Sequence, residues 1–252
     1  MIIQLVSFRQ NALSKMKRNL TIQLFNESSS DIILFPGHTI DTVPDLEILS
    51  SNLKNKNTTA FLELKDAGAR DVTNWSFKIE NNKLLNTHSS QQFATSDEVN
   101  GNNFVVENLL HEIKNNRLHI VNKLKVCLLI CGELNILTNF QSENNRVDIR
   151  TDKKELHTEF KKIFNSVDIF LNPLHSPMGN QGKMSKRRIF LSKNSRSYFS
   201  TANLDRKGVS YEISFTNSKA LQYALFNGRE ISETKSENVT PDFISREFEI
   251  LL

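Results

Sequence analysis

The sequence predicts an α/β fold built from two β-sheets, each covered by helices on its outer side. Three observations carry this expectation. An apolar run, a helix-spaced stretch and a second apolar run open the chain as a strand-helix-strand unit, which implies a covered parallel sheet. The same alternation returns after residue 125. A composition of 38% hydrophobic and 24% charged residues supplies a sizeable core without the charge excess of a disordered chain. A length of 252 residues is compatible with one α/β core, so residues 1–252 are expected to form a single domain.

The elements follow in order. IIQLVSF (2–8) reads as a buried strand, and residues 10–27 place Ala12, Leu13, Met16, Leu20 and Leu24 at helical spacing. DIILFP (31–36) is a short strand, Leu46, Leu49 and Leu53 mark a second helix, and TTAFLEL (58–64) a third strand. WSFKIE and KLLNTH flank Asn81-Asn82, a pair that tolerates the positive φ of a tight hairpin. FVVENLLHEIKN (104–115) fits a helix or a strand running into one, and RLHIVNKL and KVCLLIC follow as strands. GELNILTNF suits a short helix, KKELHTEFKKIFNS (153–166) an amphipathic one, VDIFLNP (167–173) a buried strand, and MSKRRIFLSKNSRSY a helix leading into the strand FSTANL. GVSYEISFTNS and ALQYALFNGREI alternate like a terminal hairpin.

Composition also excludes classes of function. The longest apolar stretches reach only about six or seven residues where a membrane span needs about 20, so no membrane association is expected. The N-terminus MIIQLVSFRQ puts its apolar residues before its first basic one, the reverse of a secretory signal. Cys127 and Cys131 are too few for a disulfide framework, which points to the reducing cytoplasm. The net charge of +4, from 32 basic and 28 acidic residues, is modest, and the runs 15–18, 161–162 and 183–188 read as solvated faces rather than a nucleic-acid surface.

Several short motifs fail on inspection. GNQGKMS (179–185) has Pro177 and Met184 where a phosphate-binding loop needs Gly and Ser or Thr. Lys183-Met184-Ser185-Lys186 matches four residues of a synthetase signature loop, with Gly37-His38 its nearest partner motif, a match short enough for chance. His111-Glu112 begins like a zinc-protease helix, but Asn115 replaces the second His. No Cys, His and acidic residues share metal-ligand spacing, so neither a metal nor a cofactor is expected.

Cys131 is the candidate that remains. It closes the apolar run KVCLLIC and precedes Gly-Glu; from that pattern alone it reads as a core position, and the order of the flanking segments is what favours a nucleophile at a strand end. Cys127 reads as core. Taken together, ILFPGHTI, the ICGE segment, VDIFLNPLHSP and RRIFLSKNSRSYFSTANLD resemble, in order and spacing, the carbon-nitrogen hydrolase (nitrilase) superfamily, from residue 2 to about residue 225. The resemblance implies a four-layer α-β-β-α sandwich, a homodimer, and a Glu, Lys, Cys triad in which the cysteine attacks an amide or nitrile carbon.

In this chain the resemblance places the nucleophile at Cys131 but gives Gly37 at the glutamate position and Gln92, or Gln91 one residue earlier, at the lysine position. A missing base costs about 100-fold to 10,000-fold and a missing oxyanion donor about 100-fold to 1,000-fold. The expectation is therefore a divergent member with impaired catalysis, binding a small amide, nitrile or carboxylate ligand, or a protein partner, in the old pocket. The alternative is an active thiol amidase or acyltransferase whose base is rearranged, with His38 as the candidate. Glu133 and Glu63 are expected to face elsewhere. A third reading is a phosphate or nucleic-acid binder using residues 183–188.

Overall fold

The computed structural model describes residues 1–9, 12–65, 75–144, 146–177, 181–204, 219–234 and 238–251. The chain opens with β1 (Ile2–Phe8), α1 (Ser14–Glu27), β2 (Ile32–Leu34), α2 (Val43–Ser51), β3 (Thr59–Leu64) and the hairpin β4 (Trp75–Glu80) and β5 (Lys83–Ser90). Next come α3 (Ser96–Val99), α4 (Asn103–Glu112), β6 (Leu118–Val121), β7 (Leu124–Leu128), β8 (Leu137–Phe140) and β9 (Arg146–Ile149). The last third holds α5 (Lys154–Asn165), β10 (Ile169–Leu174), α6 (Gln181–Ser192), β11 (Ser197–Ala202), β12 (Gln222–Phe226), β13 (Arg229–Glu230), β14 (Asn238–Val239) and β15 (Phe243–Glu249).

These strands form a seven-stranded sheet, β14-β15-β1-β2-β3-β4-β5, a six-stranded sheet, β13-β12-β11-β10-β7-β6, and the small pair β8-β9. The centre of each large sheet is parallel, β1-β2-β3 in one and β7-β10-β11 in the other, as expected of strands joined through helices.

Side-chain alternation divides the core into three apolar layers. Ile3 and Leu5 of β1, Ile32 and Leu34 of β2 and Phe61 of β3 meet Val126 and Leu128 of β7, Ile169 and Leu171 of β10 and Phe199 of β11 between the sheets. Val6, Ile33, Ala60 and Leu62 face outward onto Phe25 of α1 and Leu46 and Leu49 of α2. On the far side Cys127, Phe170 and Tyr198 face outward onto helices α4, α5 and α6. The result is the expected α-β-β-α sandwich.

Local sequence accounts for the joints. Asn81 and Asn82 take φ of 51° and 55°, the left-handed values that a two-residue hairpin demands and that Asn tolerates. Thr42 caps α2, its hydroxyl accepting the Asp45 N–H at 3.2 Å. In α5 the buried positions Leu156, Phe160, Ile163 and Phe164 recur at helical spacing.

Some expectations need correction. The helix expected over 184–198 is α6, which ends at Ser192, and Ser197 already belongs to β11. Residues 104–115 contain α4 followed by a single wide turn, Ile113–Arg117, rather than a strand. The segment 208–218 lies outside the described residues. Nor are all the basic runs solvated faces: Lys17 is buried and paired with Asp41 at 2.6 Å, and Arg187 and Arg188 are both buried.

Candidate active site

Alternation along β7 directs Val126, Leu128 and Ile130 between the sheets and Cys127 and Leu129 toward the helices. Continued by one residue, the pleat would send Cys131 outward beside Cys127. It does not, because Cys131 has φ 43°, a left-handed conformation uncommon outside glycine, and the turn swings its side chain onto the inter-sheet layer. The two cysteines therefore differ in chemistry. Cys127 is wholly buried, and that burial pushes its thiol up to about 12. Cys131 is half-buried.

A network holds this elbow. The Asn172 side chain on β10 donates to the carbonyls of Leu129 and Cys131 at 2.5 and 3.2 Å, and is itself fixed by the Tyr198 hydroxyl at 2.8 Å. Behind it, the Glu133 carboxylate accepts the N–H groups of Ile130 and Gln92 at 2.8 and 2.7 Å and pairs with Arg117, both side chains being fully buried. Gly132 is required here, since a Cβ on it would lie 1.8 Å from the Ala94 carbonyl oxygen.

Facing the thiol is a residue that sequence reasoning missed. His175, one position past the end of β10, is close enough to the Cys131 side chain for the thiol to influence its proton affinity. Its Nε2 lies 2.9 and 3.1 Å from the two carboxylate oxygens of Glu63, which is wholly buried at the end of β3. The expectation that Glu63 faces elsewhere is thus overturned: it shares the inward face of β3 with Phe61. Glu133 does face away from the thiol, toward Arg117. Burial alone would lower the His175 pKa, but its interactions with the Cys131 and Glu63 side chains and the charges of both outweigh this and raise it to about 10.

Gly37 explains how the imidazole fits. A Cβ at this position would lie 2.2 Å from His175 Cδ2 and 2.6 Å from Glu63 Oε2. Where the resemblance places a glutamate, this chain has no side chain, and His175 fills the space.

His38, the expected base, stands beside this group. Its ring stacks on His175 with centroids 3.8 Å apart and planes 13° from parallel, and its backbone N–H donates to Glu63 at 3.3 Å. Its backbone has φ 57°, and its carbonyl accepts from Lys17 at 3.0 Å. At the lysine position, Gln92 donates its side-chain amide to the carbonyl and hydroxyl of Ser90 at 2.9 and 3.2 Å.

Donor atoms of His38, Glu63 and His175 lie within 4.8 Å of one another, close enough to consider a metal. The stacked rings argue against one: an imidazole lone pair lies in its ring plane, and a single ion cannot lie in two nearly parallel planes unless a ring turns. As built, the group suits proton transfer. The carboxylate is hydrogen-bonded to the imidazole and the imidazole adjoins the thiol, the order in which a nucleophile, its base and the group orienting that base are arranged.

No family model and no curated protein matches the sequence. Solved structures do match its fold. The NitN amidase from Nesterenkonia sp. AN1 superposes with a TM-score of 0.58 at 10% identity, over 99% of this chain and 93% of the amidase. A mutant of that enzyme carrying the acetamide moiety of fluoroacetamide on its active-site cysteine matches equally, with a TM-score of 0.58 at 10% identity over 98% of this chain and 90% of the enzyme. A glutamine-dependent NAD(+) synthetase from Cytophaga hutchinsonii matches with a TM-score of 0.54 at 12% identity, over 98% of this chain but 43% of the synthetase. The architecture of this chain is that of the nitrilase-superfamily amidases.

Proposed function

We propose that the protein is a thiol-dependent acyl-transfer enzyme cleaving the C–N bond of a small amide, with Cys131 as nucleophile, His175 as general base and acid, and Glu63 as the group that orients His175. The observation that carries this reading is the imidazole of His175, hydrogen-bonded to Glu63 and adjoining Cys131 at one end of the inter-sheet layer, in the space Gly37 leaves open. Because His175 already holds a proton at neutral pH, sulfur attacks the carbonyl carbon as the thiolate paired with the imidazolium. The imidazolium gives its proton to the departing nitrogen as the C–N bond breaks, leaving a thioester. Water, deprotonated by the now neutral His175, then attacks the thioester; sulfur leaves as the thiolate, the pair with the imidazolium is restored, and the acid is released. His38 is a positioning residue in this scheme, its ring limiting the rotation of His175.

The second reading, a binding module that retains ligand without turnover, is favoured by Gln92, which is neutral and engaged with Ser90 where the family's ammonium is expected. Two measurements on the full chain separate the readings: the rate of Cys131 alkylation by iodoacetamide at neutral pH, and ammonia release from short aliphatic amides. The enzyme reading expects His175→Ala to slow alkylation about tenfold or more and hydrolysis about 100-fold to 10,000-fold, with Cys131→Ala abolishing both and His38→Ala acting less than His175→Ala. Rapid alkylation without ammonia release selects the binding module. Alkylation indifferent to His175→Ala, in a protein shown by circular dichroism to be folded, overturns the assignment of the base.

A further inference from the structure

Strand β8, the residue following β9 and the first turns of α6 line an open hollow of about 800 Å³, within the range of small-molecule sites, with Arg150, Lys183 and Arg187 beside Asn135, Asn139 and Ser96 in its wall. Arg187 is only 4% exposed, and its guanidinium donates to the amide oxygens of Asn139 and Asn135 at 2.8 and 2.6 Å. Arg150 donates to the carbonyls of Asn135 and Leu137 at 2.9 and 3.5 Å and to the Asn100 side chain at 3.4 Å.

Every one of these acceptors is neutral. Among the described residues no carboxylate lies within 4.0 Å of either guanidinium, whereas Arg146, on the same small pair, is held by both Glu143 and Asp148. Asp97 attracts Arg150 from a greater distance without pairing with it. Burial and the neighbouring Arg150 lower the Arg187 pKa to about 10, the response of a cation placed in a partly dry site beside another cation. Buried positive charge without a counter-charge is costly unless something negative joins it.

We propose that this hollow binds a small molecule through an anionic group, a phosphate or a carboxylate, held by the guanidinium groups of Arg150 and Arg187. The planar donor fork of arginine matches two oxygens of either group. The site connects to the thiol without depending on the chemistry assigned to it. Asn135, gripped by both arginines, belongs to the turn Cys131–Ile136 that begins with the nucleophile, so an occupant drawing on those arginines acts on that turn.

The test is a titration of the full-length protein with inorganic phosphate and, separately, with glutarate, at constant ionic strength in chloride buffer, read by melting temperature and calorimetry. A saturable rise is expected with at least one of them, the responding anion identifying the chemistry. Arg150→Gln and Arg187→Gln are each expected to weaken binding about tenfold or more, the loss of one charge-assisted hydrogen bond. Arg150 is only partly buried, so its variant decides the matter if Arg187→Gln fails to fold. The proposal is overturned if neither anion produces a saturable shift, or if Arg150→Gln binds as tightly as the parent.

Discussion

Gly37 and His175 divide one small volume between them. Since any Cβ at position 37 would meet the imidazole and the Glu63 carboxylate, Gly37→Ala is expected to push His175 off the thiol. Alkylation of Cys131 should slow nearly as much as in His175→Ala while the melting temperature falls little, because the site lies at the mouth of the layers rather than within them. An alkylation rate equal to that of the parent would show that His175 does not depend on this gap. At this scale the sequence was partly legible. Cys131 stood out as a candidate because flanking motifs framed it. His175 was printed in VDIFLNPLHSP, but nothing in the chain announces that a residue after one strand meets a thiol after another. Glu63 did leave a signal: an acidic residue in the otherwise apolar run TTAFLEL, in phase with Phe61, is a buried charge in need of a partner.

The turn from Cys131 to Ile136 is the element on which the site rests, and Glu133 is its anchor. Its carboxylate holds the backbone N–H on either side of the cleft between Ile130 and Gln92, and Arg117 neutralises it. Removing one partner of a buried ion pair leaves the other charge uncompensated, at a cost of about 3 to 5 kcal/mol. Arg117→Met is therefore expected to destabilise the protein by that amount in urea unfolding, and Glu133→Gln to do so by less, as its amide oxygen can still accept one backbone N–H. A loss below about 1 kcal/mol for Arg117→Met would mean the pair is not needed to hold the elbow. The sequence predicted a short helix here. Strand periodicity fails at this point because a single left-handed residue reverses the facing of everything after it, and that conformation is decided by the tertiary bonds from Asn172 and Glu133.

Across the whole molecule, the layered plan was legible because it is written in repeated patterns: two strand-helix-strand series, apolar runs of strand length and Asn-rich turns. Boundaries were less so, as with the end of α6, where the apolar spacing runs on past the last helical residue. The pairing of His175 also links the site to global stability. The unfolded chain gives up this proton near pH 6.5, whereas the folded protein keeps it to about pH 10. The stabilisation is therefore complete below pH 6.5 and lost as pH rises toward 10. Between those limits the melting temperature of the parent is expected to fall more steeply than that of His175→Asn. Parallel curves for the two proteins would rule out the raised imidazole.

The empty position at residue 37 also bears on descent. A carboxylate side chain there and an imidazole at 175 exclude each other sterically, so no single substitution converts one arrangement into the other while both bases remain in place. A lineage passing between them has to cross a stage with neither, or gain the histidine only after the acid is gone. A search keyed on a carboxylate at position 37 passes over such a chain, although the imidazole proposed as its base lies beside the gap.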